Sequence, residues 1–301
     1  MSHTFSYIKN VKLSVLLVML AVSPYTIRCY AKPNMTPLGP NIADKGSEFY
    51  HFSVSRFDSL DGKRHYKVWI GVPDKKPPVS GFPVLYMLDG NAVMDRLSDE
   101  FLKEISKKTP PVIVAIGYQT KLPFESESRA YDYTPANKVP NSFDRYGRKG
   151  GGSDIFRLLI KNNIMSVVEK NIKVNAKKRG IWGHSYGGLF VLDSYLSSDL
   201  FTFYYSASPS LSRDNFALVN KIEKENKNLF MDKNLYVMEG DGDKTRESDN
   251  KSNILNKTIS MVSILRKNNV TVKYDCYPGL THGQMFTPSF ESALLDISEK
   301  N

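Results

Sequence analysis

An α/β fold, with a mostly parallel central sheet, an N-terminal antiparallel hairpin and helices on both faces, is predicted by three observations in this 301-residue chain. Two segments, residues 49–57 and 66–72, alternate apolar and polar side chains and flank the turn-forming Ser59-Leu60-Asp61-Gly62, as an antiparallel hairpin does. Near-continuous apolar runs follow at residues 83–88, 112–116 and 180–182, the pattern of strands buried on both faces in a parallel sheet. The last run leads into Gly183-His184-Ser185-Tyr186-Gly187 and then a segment whose Leu189, Val191, Leu192 and Tyr195 suit a buried helix.

Helix-like spacing fills the intervals. Residues 94–105 and 155–171 carry it, with Ser153-Asp154 as a cap for the second. Strands at 203–207, 235–238 and 270–277 then alternate with helices at about 215–227 and 250–267, and a helix at 288–298 closes the pattern. A hairpin leading into alternating strand and helix, with a Gly-x-Ser-x-Gly turn after an inner strand, describes an α/β-hydrolase sheet. That turn is tight, and side chains at Gly183 and Gly187 are expected to collide with neighbouring backbone. The pentapeptide alone arises by chance in roughly one chain in ten of this length, so its strand-to-helix context carries the weight.

Before the fold begins, Lys9 and Lys12 precede an apolar run at residues 13–22 that Pro24 ends. The run is about half the ~20 residues needed to span a bilayer, and its flanks are those of an export signal. Two expectations follow: cleavage after Ala31, giving residues 1–31 as signal peptide and 32–301 as one domain, or retention as an N-terminal membrane tether. Cys29 is a poor lipid site, with the large Arg28 where a small residue is wanted. Loss of the signal takes the formal charge from +10 to +7. The basic residues are scattered and not interleaved with aromatics, which argues against nucleic acid and fits a small anionic ligand. With Cys276 the one cysteine beyond the signal, an internal disulfide and a cysteine zinc site are ruled out.

A serine hydroxyl is a weak nucleophile until a base takes its proton, and five histidines compete for that role with Ser185. His3 leaves with the signal, His51 and His65 lie in the hairpin, and His184 occupies the turn itself with its ring directed away from the serine. His282 remains, in a loop after the last strand, where the chain order of the fold places the base. For an acid, Glu239, Asp241 and Asp243 crowd the loop after residue 238, and a plain surface turn would look the same. The oxyanion hole is assigned to the N–H of Tyr186 and to that of Asn91, with Gly90 letting the backbone turn inward. Residues 119–153 show no periodicity and are expected to be a long functional loop carrying Arg129, Tyr131, Tyr133, Lys138, Arg145, Arg148 and Lys149. Arg129 either meets the substrate or pins the loop through Asp132. Tyr205, Ser206, Ser208 and Pro209 are candidates for the opposite wall.

Several stretches together carry a family resemblance: Tyr86-Met87-Leu88-Asp89-Gly90-Asn91 through Leu97, Ser128-Arg129-Ala130-Tyr131-Asp132-Tyr133-Thr134-Pro135, the serine turn, and His282-Gly283 with residues 293–298. They resemble the periplasmic trilactone esterases of catecholate siderophores, which act on enterobactin and its glucosylated form salmochelin, within the putative-esterase branch of the α/β-hydrolases. The resemblance implies Ser185 as nucleophile, His282 as base, and a serine-histidine dyad without an acid, a point that the carboxylates crowded after residue 238, Asp241 and Asp243 among them, leave open. It implies a free or ferric catecholate siderophore as ligand in the periplasm and no cofactor, iron entering only with the substrate. The cationic and aromatic side chains of the long loop, Arg129 and Tyr131 first among them, would suit such a ligand. A general exported carboxylesterase or acyltransferase, and a non-catalytic siderophore binder, are the other readings.

Overall fold

The computed structural model describes residues 34–136, 143–144, 146–214, 216–222, 232–242 and 249–299. The export segment at 1–31, Lys138, Arg145 and Asp243 lie outside them. A short helix α1 (Ile42–Lys45), capped by the Asn41 side chain, precedes the hairpin of β1 (Tyr50–Asp58) and β2 (His65–Pro73). Gly62, at φ 66°, makes the turn between them. There follow β3 (Phe82–Met87), α2 (Gly90–Arg96), α3 (Asp99–Ser106), β4 (Val112–Tyr118), α4 (Ser126–Asp132), α5 (Ser153–Leu159), α6 (Met165–Lys170) and β5 (Val174–His184). The chain continues through α7 (Tyr186–Ser197), β6 (Phe203–Ala207), α8 (Ala217–Ile222), β7 (Asn234–Gly240), α9 (Asp249–Lys267), β8 (Val272–Tyr277) and α10 (Phe286–Glu299).

All eight strands form one sheet in the order β1-β2-β4-β3-β5-β6-β7-β8. Pairing is antiparallel for β1 with β2 and for β2 with β4, and parallel from there on. Every residue of β3, β4 and β6 is buried, because each of these strands has neighbours on both edges and helices over both faces. One apolar layer gathers Phe156, Ile160, Leu189, Leu192, Leu218 and Met261 from the helices on one face. The other gathers Val93, Leu102, Ile105, Phe290 and Leu294 from α2, α3 and α10. The strand that carries Ser185 is therefore interior, flanked by β3 and β6.

Four sequence expectations change. Residues 94–105 are two helices, since Leu97 is extended and the Ser98 hydroxyl caps a new start by accepting from the Phe101 N–H. Residues 155–171 contain a wider turn at 160–164, and Gly152 holds the cap position without a side-chain bond. Ser153 donates to Asp193 at 2.7 Å and Asp154 pairs with Arg157, so neither of them caps. The long loop is also less irregular than its composition suggests, because α4 lies within it. Tyr66 and Tyr118 donate to the buried Asp132 at 2.9 and 3.0 Å, and Arg64 Nε lies 3.0 Å away as its ion partner, which anchors α4 to β2 and β4. Burial pushes the Asp132 carboxyl up to about 7. That cluster, not Arg129, takes Asp132. Fourth, the helix expected at about 215–227 is seen as α8 at 217–222, the residues after it lying outside the described set.

Candidate active site

Strand β5 delivers Ser185 into a conformation seldom seen for a residue with a side chain, φ 61° and ψ −114°. Such strain is of order 1–3 kcal/mol and persists only where the surroundings over-determine it. Here the Ser185 N–H donates to Ala207 O, and the Ser185 carbonyl accepts from the N–H groups of Leu189 and Ser210, each at 3.0 Å. The glycines that permit the turn are not quite those expected. A Cβ on Gly183 would sit 2.4 Å from the Gly187 oxygen and one on Gly188 would sit 2.7 Å from the Ala207 oxygen. At Gly187 it would meet nothing closer than Leu88 side-chain atoms at 3.5 Å, an ordinary contact.

His282 stands in the turn before α10, with Nε2 3.1 Å from Ser185 Oγ. That is hydrogen-bond distance for proton transfer from the hydroxyl to the imidazole. The backbone around it is seated on the loop after β7. Gly240 and Gly242 are glycines because a Cβ on either would meet a carbonyl oxygen of Leu280 or Gly279 at 2.2 Å. Asp241 Oδ1 accepts from the Gly279 N–H at 2.7 Å, and the Gly242 N–H donates to Leu280 O at 2.9 Å. The Gly240-Asp241-Gly242 stretch thus shapes the platform for the histidine loop. Glu239 belongs to β7 itself, opposite Cys276 of β8.

His184 has a role that sequence reasoning assigned no use. Its Nε2 lies 2.8 Å from the carbonyl oxygen of His282, and the two rings are 4.8 Å apart. A carbonyl only accepts, so Nε2 of His184 carries the proton and donates it. Burial, ahead of the nearby His282 charge, holds His184 well below the usual histidine range, so it stays neutral. The ring turns toward the histidine loop and holds it by its main chain.

Tyr186 opens α7, where its N–H has no carbonyl one turn back to bond. Its hydroxyl donates to Asp144 at 3.0 Å, Arg148 donates to it at 3.3 Å, and the guanidinium of Arg213 lies 6.0 Å from its ring. In the loop after β3 the Leu88 N–H goes to Trp182 O and the Asp89 N–H to the Tyr133 hydroxyl. Gly90 and Asn91 begin α2, so their N–H groups are the loop's amides without an intrahelical acceptor. The inward turn expected of Gly90 is made by Asp89 at φ 54°. Gly90 is needed instead for its approach to β4, where a Cβ would lie 2.7 Å from the Ala115 and Ile116 backbone. Asn91 is fixed by its amide, which donates to Tyr118 O and Thr120 O and accepts from the Tyr118 N–H.

The proposed substrate contacts find partners within the protein. Arg129 forms two bonds to Asp89, at 2.8 and 2.7 Å, which is the pinning role with Asp89 in place of Asp132. Tyr131 lies under the Arg64 guanidinium at 4.5 Å and against Gly152, where a Cβ would meet its ring at 2.3 Å. Of the expected opposite wall, Tyr205 is buried and donates to Asp296, and Ser206 donates to Gly188 O. The residue that reaches Ser185 from that side is Ser210, whose Oγ is 3.0 Å from Ser185 Oγ. No sequence signal marks it, since Ser-Pro-Ser reads as an ordinary loop. Among the described residues no group of three His, Cys, Asp or Glu side chains is placed to hold a metal ion.

An interior parallel strand, a strained serine turn into a buried helix and a histidine after the last strand are together the arrangement of an α/β-hydrolase. The Esterase family model, described as "Putative esterase", matches residues 59–297, and the chain belongs to that family. It is 54% identical over 279 residues to apo-salmochelin esterase of Escherichia coli O6:H1 (strain CFT073), covering 90% of this chain and 87% of that protein. The solved structure of "Enterobactin and Salmochelin Hydrolase IroE" matches with TM-score 0.77 and 52% identity over 87% of this chain and 100% of that one. Over 168 residues the chain is 34% identical to ferri-bacillibactin esterase BesA of Bacillus subtilis, 52% of this chain and 58% of that protein. The chain is an ester hydrolase.

Asp241 separates a dyad from a triad. Because its carboxylate is engaged by the Gly279 N–H, Asp241→Asn, which keeps an acceptor oxygen there, should lower kcat/KM by less than about tenfold, ~1.4 kcal/mol. A triad acid fixes the imidazole tautomer, and its loss costs ~10⁴ in turnover. A fall of that size in steady-state assays would make Asp241 the third catalytic member.

Proposed function

We propose that this protein hydrolyses the serine-ester bonds in the trilactone ring of an enterobactin- or salmochelin-type siderophore, through an acyl-enzyme on Ser185. The observation that carries the serine mechanism is the 3.1 Å approach of His282 Nε2 to a strained Ser185 Oγ. The substrate class rests on 54% identity to apo-salmochelin esterase across most of both chains. In the first half-reaction the Ser185 Oγ–carbon bond forms as its proton passes to His282 Nε2. The ester C–O bond then breaks, and the same proton goes to the departing serine oxygen. Water attacks next, giving its proton to His282, and the Ser185 Oγ–carbon bond breaks as Oγ recovers a proton from His282. The N–H of Tyr186, with that of Asn91 or Gly90 across the cleft, receives the oxyanion. The protein needs no cofactor for these steps, and iron enters only as part of a ferric substrate.

Export to the periplasm belongs to the same reading, because Lys9, Lys12 and the apolar run at 13–22 form a signal. Full-length protein retained in the cytosol on fractionation would remove that part. The enzymatic test incubates purified protein with enterobactin, follows linear products by mass, and compares kcat/KM with that for a short p-nitrophenyl ester. The siderophore is expected to be the better substrate. A tenfold preference for the simple ester would replace this reading with a general carboxylesterase, and absence of any turnover with a non-catalytic binder.

A further inference from the structure

The loop after β6 does more than bound the site. Ser208 is strained at φ 40° and donates its N–H to Met238 O at 2.8 Å. Two residues on, the Ser210 N–H donates to the Ser185 carbonyl at 3.0 Å, while the Ser210 carbonyl accepts from the Arg213 N–H at 2.9 Å. The backbone of Ser210 is thereby tied to that of the nucleophile, and its hydroxyl is brought to 3.0 Å from Ser185 Oγ. Proton accounting fixes the direction of that contact. Ser185 Oγ owns one proton, and as base His282 must present an unprotonated Nε2 to receive it. Ser185 therefore donates to His282, and the bond between the hydroxyls runs from Ser210 to Ser185.

We propose that Ser210 is a third catalytic side chain, a fixed hydroxyl donor to Ser185 Oγ that stabilises the negative charge this oxygen carries as it loses its proton and again as it leaves in deacylation. A hydrogen bond to a charged acceptor is worth about twice one to a neutral acceptor, so the bond strengthens as charge develops. That is the condition for accelerating a step instead of only tightening the ground state. Ser210 gives up no proton, since His282 moves the one that is transferred. The inference rests on Ser185 being the nucleophile but not on which ester is cleaved.

Its test uses the full-length protein and diisopropyl fluorophosphate, which reports serine reactivity without a siderophore. Mass mapping of the label to Ser185 in the parent checks the nucleophile separately, so a misassigned nucleophile is distinguished from an idle Ser210. With that established, Ser210→Ala should slow inactivation about tenfold and lower kcat for ester hydrolysis by a similar factor, with KM within about twofold. Ser210→Thr, which keeps the hydroxyl, should recover most of both rates. Inactivation by Ser210→Ala at the parental rate would overturn the proposal. So would a rise in KM alone, which makes Ser210 a binding residue, or equal losses in the alanine and threonine variants with altered circular dichroism, which makes it structural.

Discussion

Replacing Ser185 with alanine is expected to remove nearly all ester hydrolysis, a loss of ~10³-fold or more, and replacing His282 with alanine to do the same. The double variant should be no worse than either single one, because nucleophile and base act as one unit across their 3.1 Å contact and their losses do not add. Ser185→Ala also relaxes nothing in the backbone, since the φ of 61° is imposed by bonds to Ala207, Leu189 and Ser210 that do not involve the side chain. The alanine protein should therefore keep the parental circular dichroism spectrum. Steady-state kcat/KM on purified variants decides the matter: retention of more than about a tenth of the activity by either one, ~1.4 kcal/mol or less of barrier, would remove that residue from the mechanism.

The second large effect is on stability. Arg129 and Asp89 are a bidentate pair with the carboxylate almost completely buried. Burial works against the Arg129 charge, but the adjacent Asp89 carboxylate outweighs it and keeps the guanidinium charged. Arg129→Ala leaves that carboxylate buried and alone, and breaking such a pair typically destabilises by ~3–5 kcal/mol. Denaturant unfolding should show a loss in that range. The double variant Asp89→Asn with Arg129→Met should regain more than half of it, since removing both charges removes the uncompensated one. Asn also tolerates the left-handed backbone found at Asp89, φ 54°. An Arg129→Ala protein within about 1 kcal/mol of parental stability, changed only in KM, would return Arg129 to the substrate.

The two regions were not equally legible in the sequence. Strands β3 and β4 are read correctly because burial on both faces demands unbroken apolar runs, whereas of β5 only residues 180–182 were legible, since its first half, residues 174–179, is mostly polar and not buried. The hairpin is legible for the converse reason: β1 alternates, and Gly62 marks its turn. Helix boundaries are less so. Whether Ser98 starts a new helix or interrupts one depends on where Leu97 must pack, and that is settled by the core beneath α2 and α3.

Ser185 and His282, which the structure brings to 3.1 Å of each other, were legible as a candidate pair because the Gly-x-Ser-x-Gly turn marks a serine after an inner strand and chain order places a histidine after the final one. Those constraints are local, and a sequence records local constraints directly. The contacts of Ser210 and His184, the choice of Asp89 as partner of Arg129, and the Gly240-Asp241-Gly242 platform were not written there. Each rests on a contact between residues 25 to 98 positions apart, at Ser185 with Ser210, Asp89 with Arg129, Asp241 with Gly279 and His184 with His282. The sequence by itself determined most of the sheet and the candidate pair of Ser185 and His282, through periodicity, glycine spacing and chain order. Only the tertiary structure decided which polar side chains meet at the site, because hydrogen-bond partnership is a matter of a few tenths of an ångström between segments that packing alone brings together.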